Sequence, residues 1–513
     1  MVDSSRFQHR RSAISVAIAL ALAVASWLFT HRDLPWYLWS GDAKEYAEMA
    51  RRLADGDGLT TGVIYPAELS LGADRNHPAV VRPPAWPLLI GPFFALLGPE
   101  EWVVHGLVLA CHFVSVACTI ALATSLAGWW TGLAAGLALA VTSPFLMFAL
   151  DGTSEPLLGA LTTLSFLLCA RGARPFWPGL TIGLAYLTHY NGVLLLPAAL
   201  LLVAYRERRL RPVLACLAGF VAVAAPGWIR SLLVAGNPLY SPLALNLYMS
   251  PRLATPHAGL LHMLSPDISS PAAMNPFTKA ALQLPAILTR WPLANANVVA
   301  CLGVLLACIR RDPLSLAFAI TAGSFTVALS FALAKGRYFM PLVPTLLALG
   351  AAGWSRYGGR LGIPALVLLL AAPLVPDFPP ALEDISFQRA ATAELRREHR
   401  EGRLEFGDKR RATTALSRCL TDRDLVVAED ASELVWLTGA VAIQLPATEA
   451  DLWTIVDAHP VRYLRVGPAL RRRLSADVLA ARFRPRPDCG PDFYERRSAD
   501  ESAFRLSPQG SSS

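Results

Sequence analysis

The sequence predicts a polytopic α-helical membrane protein that carries a small α/β domain at its C-terminal end. The chain has 513 residues, of which 54% are hydrophobic and only 16% are charged. Soluble domains carry about 25% charged residues. The apolar residues are also grouped into long runs, several of which reach the ~20 residues that a bilayer-spanning helix requires. Composition and grouping together predict about eleven transmembrane helices.

The apolar runs follow one another along most of the chain, and the shorter ones contain glycine or proline, which transmembrane helices tolerate. They lie at 13–30, 102–127, 131–150, 156–170, 175–188, 192–205, 212–229, 292–309, 314–334, 338–354 and 361–376. The first run resembles a signal peptide. Its length, its lack of a small-residue cleavage site and the many later runs favour a retained membrane anchor.

The net charge of +8 is distributed in a way that reports membrane topology. If the N-terminus lies in the cytoplasm and the chain changes side at each run, short arginine-rich loops recur on the cytoplasmic side. Their arginines are Arg171, Arg174, Arg206, Arg208, Arg209, Arg211, Arg310, Arg311, Arg356 and Arg360. This distribution follows the positive-inside rule. The positive charge therefore indicates topology, and no binding of nucleic acid is indicated.

The same topology places the chemically versatile residues on the extracytoplasmic side. The first outer loop covers about 31–100, and the later outer segments are DGTSEP at 151–156, LTHYNG at 187–192, a Pro-rich loop at about 235–290 and AKGRYFMP at 334–341. The cytoplasmic loops contain little besides arginine and turn residues. We therefore expect the functional site at the extracytoplasmic face.

The stretch GDAKEYAEMARRLADGDGL at 41–59 predicts an amphipathic helix, with Tyr46 on its apolar face and charged residues on the other. Asp42 followed by Glu45 has the spacing of a capping box, so a helix cap and a chemical role for Asp42 are both open from the local pattern. On the outer side of the membrane, this helix is expected to lie along the membrane surface with its apolar face down.

Two further acids lie in the second outer loop, at Asp151 and Glu155. They either stabilise the N-terminus of the following helix, where the helix dipole favours acidic groups, or converge with Asp42 on one cavity. Asp42, Asp151 and Glu155 are the acidic candidates for the site.

Three cations are candidates for binding an anion. Lys335 and Arg337 lie in a short outer turn between apolar helices, where snorkelling is the alternative, although basic residues are disfavoured on that face. A phosphate ligand explains Arg337 better. Arg82 precedes two prolines in RPPAWP, which hold it either for structure or for phosphate binding.

His189 and Asn191 interrupt the apolar pattern and are expected to line a polar cavity or to satisfy the turn. His105 and His112 lie on one helix face, but a metal site needs more ligands, so packing is preferred. Asp422-Arg423-Asp424 matches the Asp-x-Asp pattern of nucleotide-sugar enzymes. It lies on the outer side, away from cytosolic nucleotides, and is discounted.

After residue 376 the charged residues become more frequent and the apolar runs shorter. DLVVAED, AVAIQLP and VRYLRVG resemble strands separated by helical stretches, which predicts an α/β domain at 377–497. The transmembrane domain would cover 1–376, and the tail 498–513 is expected to be disordered. Cys419 and Cys489 lie in this outer part, and a disulfide between them is left open.

The ordered series of motifs resembles the GT-C superfamily of membrane glycosyltransferases, near the protein O-mannosyltransferases and the bacterial lipid A aminoarabinose transferases. The motifs are GDAKEYAEMARRLADGDG, RPPAWPLLIGPFFALLG, TSEPL, GLAYLTHYNGVLLLP, PGWIRSLLVAGNPLYSP and KGRYFMPLVP. The resemblance covers roughly residues 10–376. Many relatives read Thr-Arg in the segment corresponding to LTHYNG, where this chain has His189.

The resemblance implies a GT-C-type transmembrane domain that takes a sugar from a polyprenyl phosphate and transfers it, with inversion, at the extracytoplasmic face of the plasma (inner) membrane. Asp42 would be the catalytic base. We assign Tyr46, Asp151, Glu155, His189 and Asn191 to the acceptor cavity, and Arg82, Lys335 and Arg337 to the donor phosphate. The acceptor would be a glycan, lipid or protein. No cofactor is assigned, and a divalent cation is left open. The alternative is a flippase or transporter, which usually has polar groups near the bilayer midplane.

Overall fold

The structure is a computed structural model that describes residues 14–25, 38, 40–142, 152–251, 259–269, 273–290, 297–332, 336–371, 416–467, 471, 474, 476–490 and 492–497. These residues form two compact units. The first unit contains those within 1–43, 82–240 and 276–397, and the second contains those within 44–81, 241–275 and 398–513. The predicted domain boundary at 376/377 and the predicted tail at 498–513 fall outside the described residues and stay predictions.

The first unit is helical, and each of the apolar runs overlaps one of its helices. The helices are Ile14–Ala25, Ala85–Leu97, Glu101–Ala127, Trp129–Ala140, Glu155–Ala170, Phe176–Thr188, Leu196–Glu207, Leu210–Ala235, Pro276–Arg290, Asn297–Ile309, Pro313–Phe331, Val343–Tyr357 and Gly362–Ala371. Within the described residues, four segments are long and apolar enough to cross a membrane: Glu101–Ala127, Leu210–Ala235, Pro313–Phe331 and Arg337–Tyr357. The other apolar helices are shorter, so the total of about eleven spans stays a prediction.

Glycine allows two of these helices to approach so closely that their backbones are in contact. A Cβ atom added to Gly179, in helix Phe176–Thr188, would lie 1.9 Å from a backbone oxygen of helix Leu210–Ala235. A Cβ atom added to Gly219, in the second helix, would lie 2.2 Å from a backbone oxygen of the first. Such contacts are typical of membrane helices, which associate through small residues because lipid provides no hydrophobic driving force between them.

The second unit contains a six-stranded sheet in the order β1-β3-β2-β4-β6-β5. The strands are β1 Val63–Ile64, β2 Leu425–Ala428, β3 Val441–Gln444, β4 Val461–Arg465, β5 Phe483–Pro485 and β6 Phe493–Arg496. Strands β1 to β4 pair in parallel, whereas β6 pairs antiparallel with both β4 and β5. The segments that resemble strands in the sequence contain β2, β3 and β4. Strand β1 comes from the first outer loop and is too short to be recognised from its pattern.

Helices and one covalent link complete the second unit. Helices Ala431–Thr438 and Glu449–Ala458 connect the parallel strands, and the shorter helix Ala476–Arg482 precedes β5. Cys419 and Cys489 form a disulfide, with their Cα atoms 5.8 Å apart. The bond that the sequence left open is therefore formed in the structure.

The helix Gly41–Ala54, which we call the Asp42 helix, is buried on both faces. The predicted position along a membrane surface, with the apolar face down, stays a prediction, but the charged side chains of the helix are buried as well. Lys44 donates to Glu433 at 3.0 Å. The carboxylate of Glu48 accepts from the N–H of Gly62 at 3.0 Å and also pairs with Arg52. Local periodicity identifies which residues share a face, but it cannot identify partners that lie far away in the sequence.

Candidate active site

Asp42 is the second residue of its helix, but it is not the residue that caps the helix. The side-chain oxygen of Ser40 accepts the N–H of Ala43 at 3.1 Å. Glu45, the other half of the expected capping box, accepts a hydrogen bond from the hydroxyl of Tyr65 at 2.8 Å. The capping-box interpretation is therefore wrong. A serine two positions earlier performs the capping role, and the Asp42 carboxylate is directed to other partners.

Those partners are two arginines, and each oxygen of the carboxylate accepts from one of them. Arg82 Nη2 lies 2.5 Å from Asp42 Oδ1, and Arg337 Nη2 donates to Asp42 Oδ2. The side chain of Asp42 is 22% exposed, and each arginine side chain is 15% exposed. Charge-assisted hydrogen bonds of this kind are short and strong. The first outer loop and the turn after helix Pro313–Phe331 therefore meet at one carboxylate.

Glu155 contributes the second acid of this cluster. Its Oε1 lies 3.7 Å from Arg337 Nε, and its side chain is only 5% exposed. It is the first residue of helix Glu155–Ala170, where the helix dipole stabilises a negative charge. The dipole and the ion pair act together, so the two interpretations of Glu155 from the sequence are compatible.

A buried tryptophan fixes the loop that leads to Glu155. Trp86 is fully buried, and its indole N–H donates to the carbonyl oxygen of Gly152 at 3.1 Å. Gly152 has a φ of +79°, and a Cβ atom there would lie 2.6 Å from a methyl group of Leu38. Only glycine fits this backbone conformation and this space. The RPPAWP motif therefore supports the site through Trp86 as well as through Arg82.

Tyr338 connects the arginine cluster to the LTHYNG segment. The guanidinium carbon of Arg337 lies 5.2 Å from the Tyr338 ring centre, a cation–π distance. The ring of His189 lies 5.4 Å from the same tyrosine. His189 Nδ1 accepts the N–H of Asn191 at 3.3 Å, which assigns the ring proton of a neutral imidazole to Nε2. His189 thus stabilises the turn through its hydrogen bond with Asn191, and its ring also borders the cluster.

Burial lowers the pKa of His189 to about 4, and the nearby arginines act in the same direction while Glu155 and Asp42 oppose them. His189 lies in the turn after helix Phe176–Thr188, outside the apolar runs. Its imidazole is therefore neutral near pH 7, because only a charged imidazolium is disfavoured by burial. A neutral His189 can orient a ligand or a phosphate but adds no positive charge.

The remaining predicted residues are distributed as follows. Tyr46 is 4% exposed on the Asp42 helix. Asp151 and Lys335 lie outside the described residues, so their assignments stay predictions. Asp424 of the Asp-x-Asp pattern accepts from Thr421 and from Arg462, which gives this carboxylate a structural role.

Sequence reasoning missed Ser40, Trp86 and Tyr338. The signals were present in part, since Ser40 precedes the helix start and Tyr338 follows Arg337 directly. Nothing local connects Trp86 to Gly152, because the hydrogen bond joins residues 66 positions apart.

Among the described residues, one group of potential metal ligands lies close together: Cys419, Asp488 and Cys489. Its two sulfur atoms form the disulfide and cannot act as thiolate ligands. Asp42 and Glu155 both pair with Arg337, so a divalent cation at these carboxylates would compete with that arginine.

The cluster contains two carboxylates and two guanidinium groups, so it is electrically balanced as it stands. Arginine side chains bind phosphate through planar, paired hydrogen bonds, and a carboxylate can remove a proton from a hydroxyl group. A base and a phosphate-binding pair therefore lie within hydrogen-bond distance of each other. This combination suits a reaction in which an acceptor hydroxyl attacks a carbon atom and a phosphate leaves from that carbon.

Comparison with known proteins gives one family match and several structural matches. The model of the family described as dolichyl-phosphate-mannose-protein mannosyltransferase matches residues 81–229, which include Arg82, Glu155 and His189. Comparison with curated protein sequences gives no significant match.

Solved structures from Cupriavidus metallidurans and Archaeoglobus fulgidus resemble this chain. ArnT from Cupriavidus metallidurans, in a crystal structure bound to undecaprenyl phosphate, is 15% identical, with a TM-score of 0.54 and coverage of 87% of this chain and 88% of that chain. The oligosaccharyltransferase AglB from Archaeoglobus fulgidus, in complex with an inhibitory peptide and a dolichol-phosphate, is 12% identical, with a TM-score of 0.54 and coverage of 88% and 69%.

A second structure of the Archaeoglobus fulgidus oligosaccharyltransferase, in complex with Zn and sulfate, is also 12% identical, with a TM-score of 0.51 and coverage of 88% and 67%. At these identities the structural likeness establishes the fold. The family match adds a sequence likeness over residues 81–229.

Proposed function

We propose that this protein is an inverting glycosyltransferase that moves a sugar from a polyprenyl phosphate to an acceptor at the extracytoplasmic face of the membrane. The observation that carries the proposal is the contact of Asp42 with Arg82 and Arg337, which brings a base and two phosphate-binding cations together. The structures of ArnT with undecaprenyl phosphate and of AglB with a dolichol-phosphate support a lipid phosphate as the ligand.

The reaction follows from these groups. The acceptor oxygen attacks the anomeric carbon of the sugar while Asp42 takes the acceptor proton. The bond between that carbon and the phosphate oxygen breaks, and its electron pair stays on the departing phosphate. Arg82 and Arg337 stabilise the charge that develops there. A phosphate leaves without a general acid, so a single carboxylate is sufficient. One displacement inverts the anomeric configuration.

The other residues are assigned to binding. Glu155 holds Arg337 in place. The assignments of Tyr46, His189 and Asn191 to the acceptor cavity are kept from the sequence. The predicted contributions of Asp151 to the cavity and of Lys335 to phosphate binding are part of the same proposal. The donor sugar and the acceptor are left general, because no described contact selects among hexoses, pentoses, or glycan, lipid and protein acceptors.

The disulfide supports the orientation of the protein. Disulfides persist in oxidising compartments such as the periplasm and are rare in the cytoplasm. Cys419 and Cys489 form a disulfide, and they belong to the same compact unit as residues 44–81 of the first outer loop. An extracytoplasmic location of that loop fits the oxidised pair, and it fits the basic cytoplasmic loops of the sequence.

The test is a transfer assay with purified protein in lipid nanodiscs, using radiolabelled polyprenyl-phosphate sugars and a panel of acceptors. Asp42→Asn is expected to lower transfer about 10²–10⁴-fold, because it removes the base. Asp422→Asn removes an exposed acid outside the cluster and serves as the matched control. Undiminished transfer by Asp42→Asn would overturn the assignment of the base, and transbilayer movement of the lipid without transfer would favour a flippase.

A further inference from the structure

The cations that the proposed function assigns to the donor phosphate are occupied in the structure by the base itself. Arg82 Nη2 binds Asp42 Oδ1 at 2.5 Å, and Arg337 Nη2 binds Asp42 Oδ2. A phosphate oxygen bound at either Nη2 atom must share that nitrogen with the carboxylate or replace it. Base and donor therefore compete for the same hydrogen-bond donors.

The charges show which partner leaves when a phosphate enters. The two carboxylates and two guanidinium groups sum to zero, whereas a polyprenyl-phosphate sugar is a phosphodiester with one negative charge. Among the four described side chains, donor binding therefore leaves one negative charge in excess, and Lys335, which is also assigned to the phosphate, lies outside the described residues. Like charges held close together without a counterion repel one another, and in a partly buried site water screens this repulsion weakly. Because the phosphate also needs the Nη2 atoms that bind Asp42, we expect one of the two acids to give up its ion pair.

Asp42 is the acid that can leave. Its side chain is 22% exposed, whereas that of Glu155 is 5% exposed and lies at the start of helix Glu155–Ala170. The helix N-terminus stabilises the negative charge of Glu155, and burial prevents its rotation into water. Glu155 contacts Arg337 through Nε, whereas Asp42 contacts it through Nη2, so the two acids use different nitrogens of the same guanidinium group. The Glu155 contact can persist while Nη2 exchanges its partner.

We propose that the donor phosphate displaces Asp42 from Arg82 and Arg337, so that the catalytic base is released only in the donor-bound state. The inference rests on the proposed function and adds its regulation. Without the donor, both oxygens of Asp42 accept hydrogen bonds from cations, and the carboxylate is poorly placed to take a proton. With the donor bound, the carboxylate is free to face an acceptor hydroxyl. The donor therefore binds before the acceptor is activated.

The same exchange predicts tight binding of the product. Transfer converts the phosphodiester into a phosphate monoester, whose second pKa of about 6 gives it a charge of about −1.5 to −2 at pH 7. The proton taken from the acceptor neutralises Asp42 in the same step. The arginines then face a more negative ligand and a neutral competitor, so polyprenyl phosphate binds more tightly than the donor and inhibits the enzyme.

The test measures binding of undecaprenyl phosphate to the full chain in nanodiscs by microscale thermophoresis. Asp42→Asn removes the internal competitor and is expected to bind the lipid about tenfold more tightly than the wild type, the change that corresponds to ~1.4 kcal/mol. Arg82→Ala is expected to bind it at least about tenfold more weakly. Asp422→Asn, which removes a charge outside the cluster, is expected to retain wild-type affinity.

Equal or weaker binding by Asp42→Asn would overturn the displacement, because Asp42 would then help to arrange the arginines for the phosphate. That result leaves the proposed function intact if Asp42→Asn has also lost transfer. Failure of the wild type to bind undecaprenyl phosphate would instead overturn the proposed function.

A second measurement avoids variants that fold poorly. In a cryo-electron microscopy structure of the wild type with undecaprenyl phosphate, the oxygens of Asp42 should lie more than about 4 Å from the nitrogens of Arg82 and Arg337, beyond ion-pair distance. Retention of both ion pairs beside a bound phosphate would overturn the proposal.

Discussion

Asp42 and Arg337 form an ion pair although they lie 295 positions apart in the chain. One belongs to the first turn of the Asp42 helix, and the other to the 3₁₀ helix Gly336–Leu342 that precedes the helix Val343–Tyr357. The position of the proposed base therefore depends on a residue from the other end of the first unit. Changes at Arg337 should affect the site through Asp42 as well as through a phosphate.

Replacement of Arg337 should show that a single positive charge is insufficient. Arg337→Ala is expected to lower kcat/KM about 10²–10³-fold, because it removes stabilisation of the leaving phosphate. Arg337→Lys should recover only a small part of this, since one ammonium group cannot contact Asp42 and Glu155 in the planar arrangement of a guanidinium. Arg356→Ala, which removes an exposed arginine paired with Asp312, is the control for the transfer assay. Full activity of Arg337→Lys would contradict this role.

The pH dependence of stability should report the burial of His189. Its pKa is lowered to about 4 in the folded protein, against about 6.5 in an unfolded chain. Between these values the unfolded chain binds a proton that the folded chain does not, so the folded state loses stability as pH falls from about 6.5 towards 4. Above pH 7 the imidazole is neutral in both states and has no effect.

The measurement is the apparent melting temperature at pH 7 and pH 5. The charged groups that act on His189 are Glu155, Arg337, Asp42 and Arg82. His189→Asn keeps an acceptor for the N–H of Asn191 and cannot bind a proton in this range. Between pH 7 and pH 5 the apparent melting temperature of the variant should fall less than that of the wild type. Identical losses would show that another group determines the acid sensitivity.

The buried acid of the Asp42 helix should be important for stability. Glu48 is fully buried and pairs with Arg52, which is 5% exposed. Glu48→Gln leaves that arginine charged without its counterion, and removing one partner of a buried ion pair costs about 3–5 kcal/mol. The apparent melting temperature should fall sharply, whereas Glu207→Gln, at an exposed position, should leave it nearly unchanged. A double change to Glu48→Leu and Arg52→Met should recover much of the loss.

The disulfide should stabilise the second unit. Removal of a native disulfide typically costs about 2–5 kcal/mol, mainly because the unfolded chain gains freedom. Cys419→Ser and Cys489→Ser should each lower the apparent melting temperature, and a reducing agent should lower that of the wild type to a similar value. Cys301→Ser, at a cysteine without a disulfide, is the control. An unchanged melting temperature under reduction would show that the bond adds nothing to stability.

Membrane topology can be tested by chemical labelling of single cysteines. A cysteine at position 208, in a predicted cytoplasmic loop, should resist a membrane-impermeant maleimide in intact cells and react after the membrane is opened. A cysteine at position 268, in the predicted outer loop, should react in intact cells. Labelling of position 208 from outside would refute the predicted orientation.

The sequence predicts the helices of the first unit well because long apolar runs can form little else. It also places Asp42, Arg82, Glu155 and Arg337 on one side of the membrane, which limits the pairs that they can form. It could not predict that each Asp42 oxygen accepts from a different arginine, since this depends on how three loops fold together. The buried charges of the Asp42 helix were missed for the same reason. The partner of Lys44, Glu433, follows 389 positions later, and Gly62, a partner of Glu48, lies in the loop that follows the helix.

That distance matters while the protein is being made. The ion pair of Lys44 with Glu433 joins residues 389 positions apart, and strand β1 of the first outer loop pairs with β3 near the end of the chain. Ribosomes add about 5–20 residues per second, so the first outer loop waits about 20–80 seconds for these partners. During that interval Lys44 lacks Glu433 and β1 lacks β3, so the loop reaches its final structure only after β3 has been synthesised. A nascent chain that stops before β2 therefore lacks the partners of Lys44 and of β1, even if its predicted transmembrane helices are inserted.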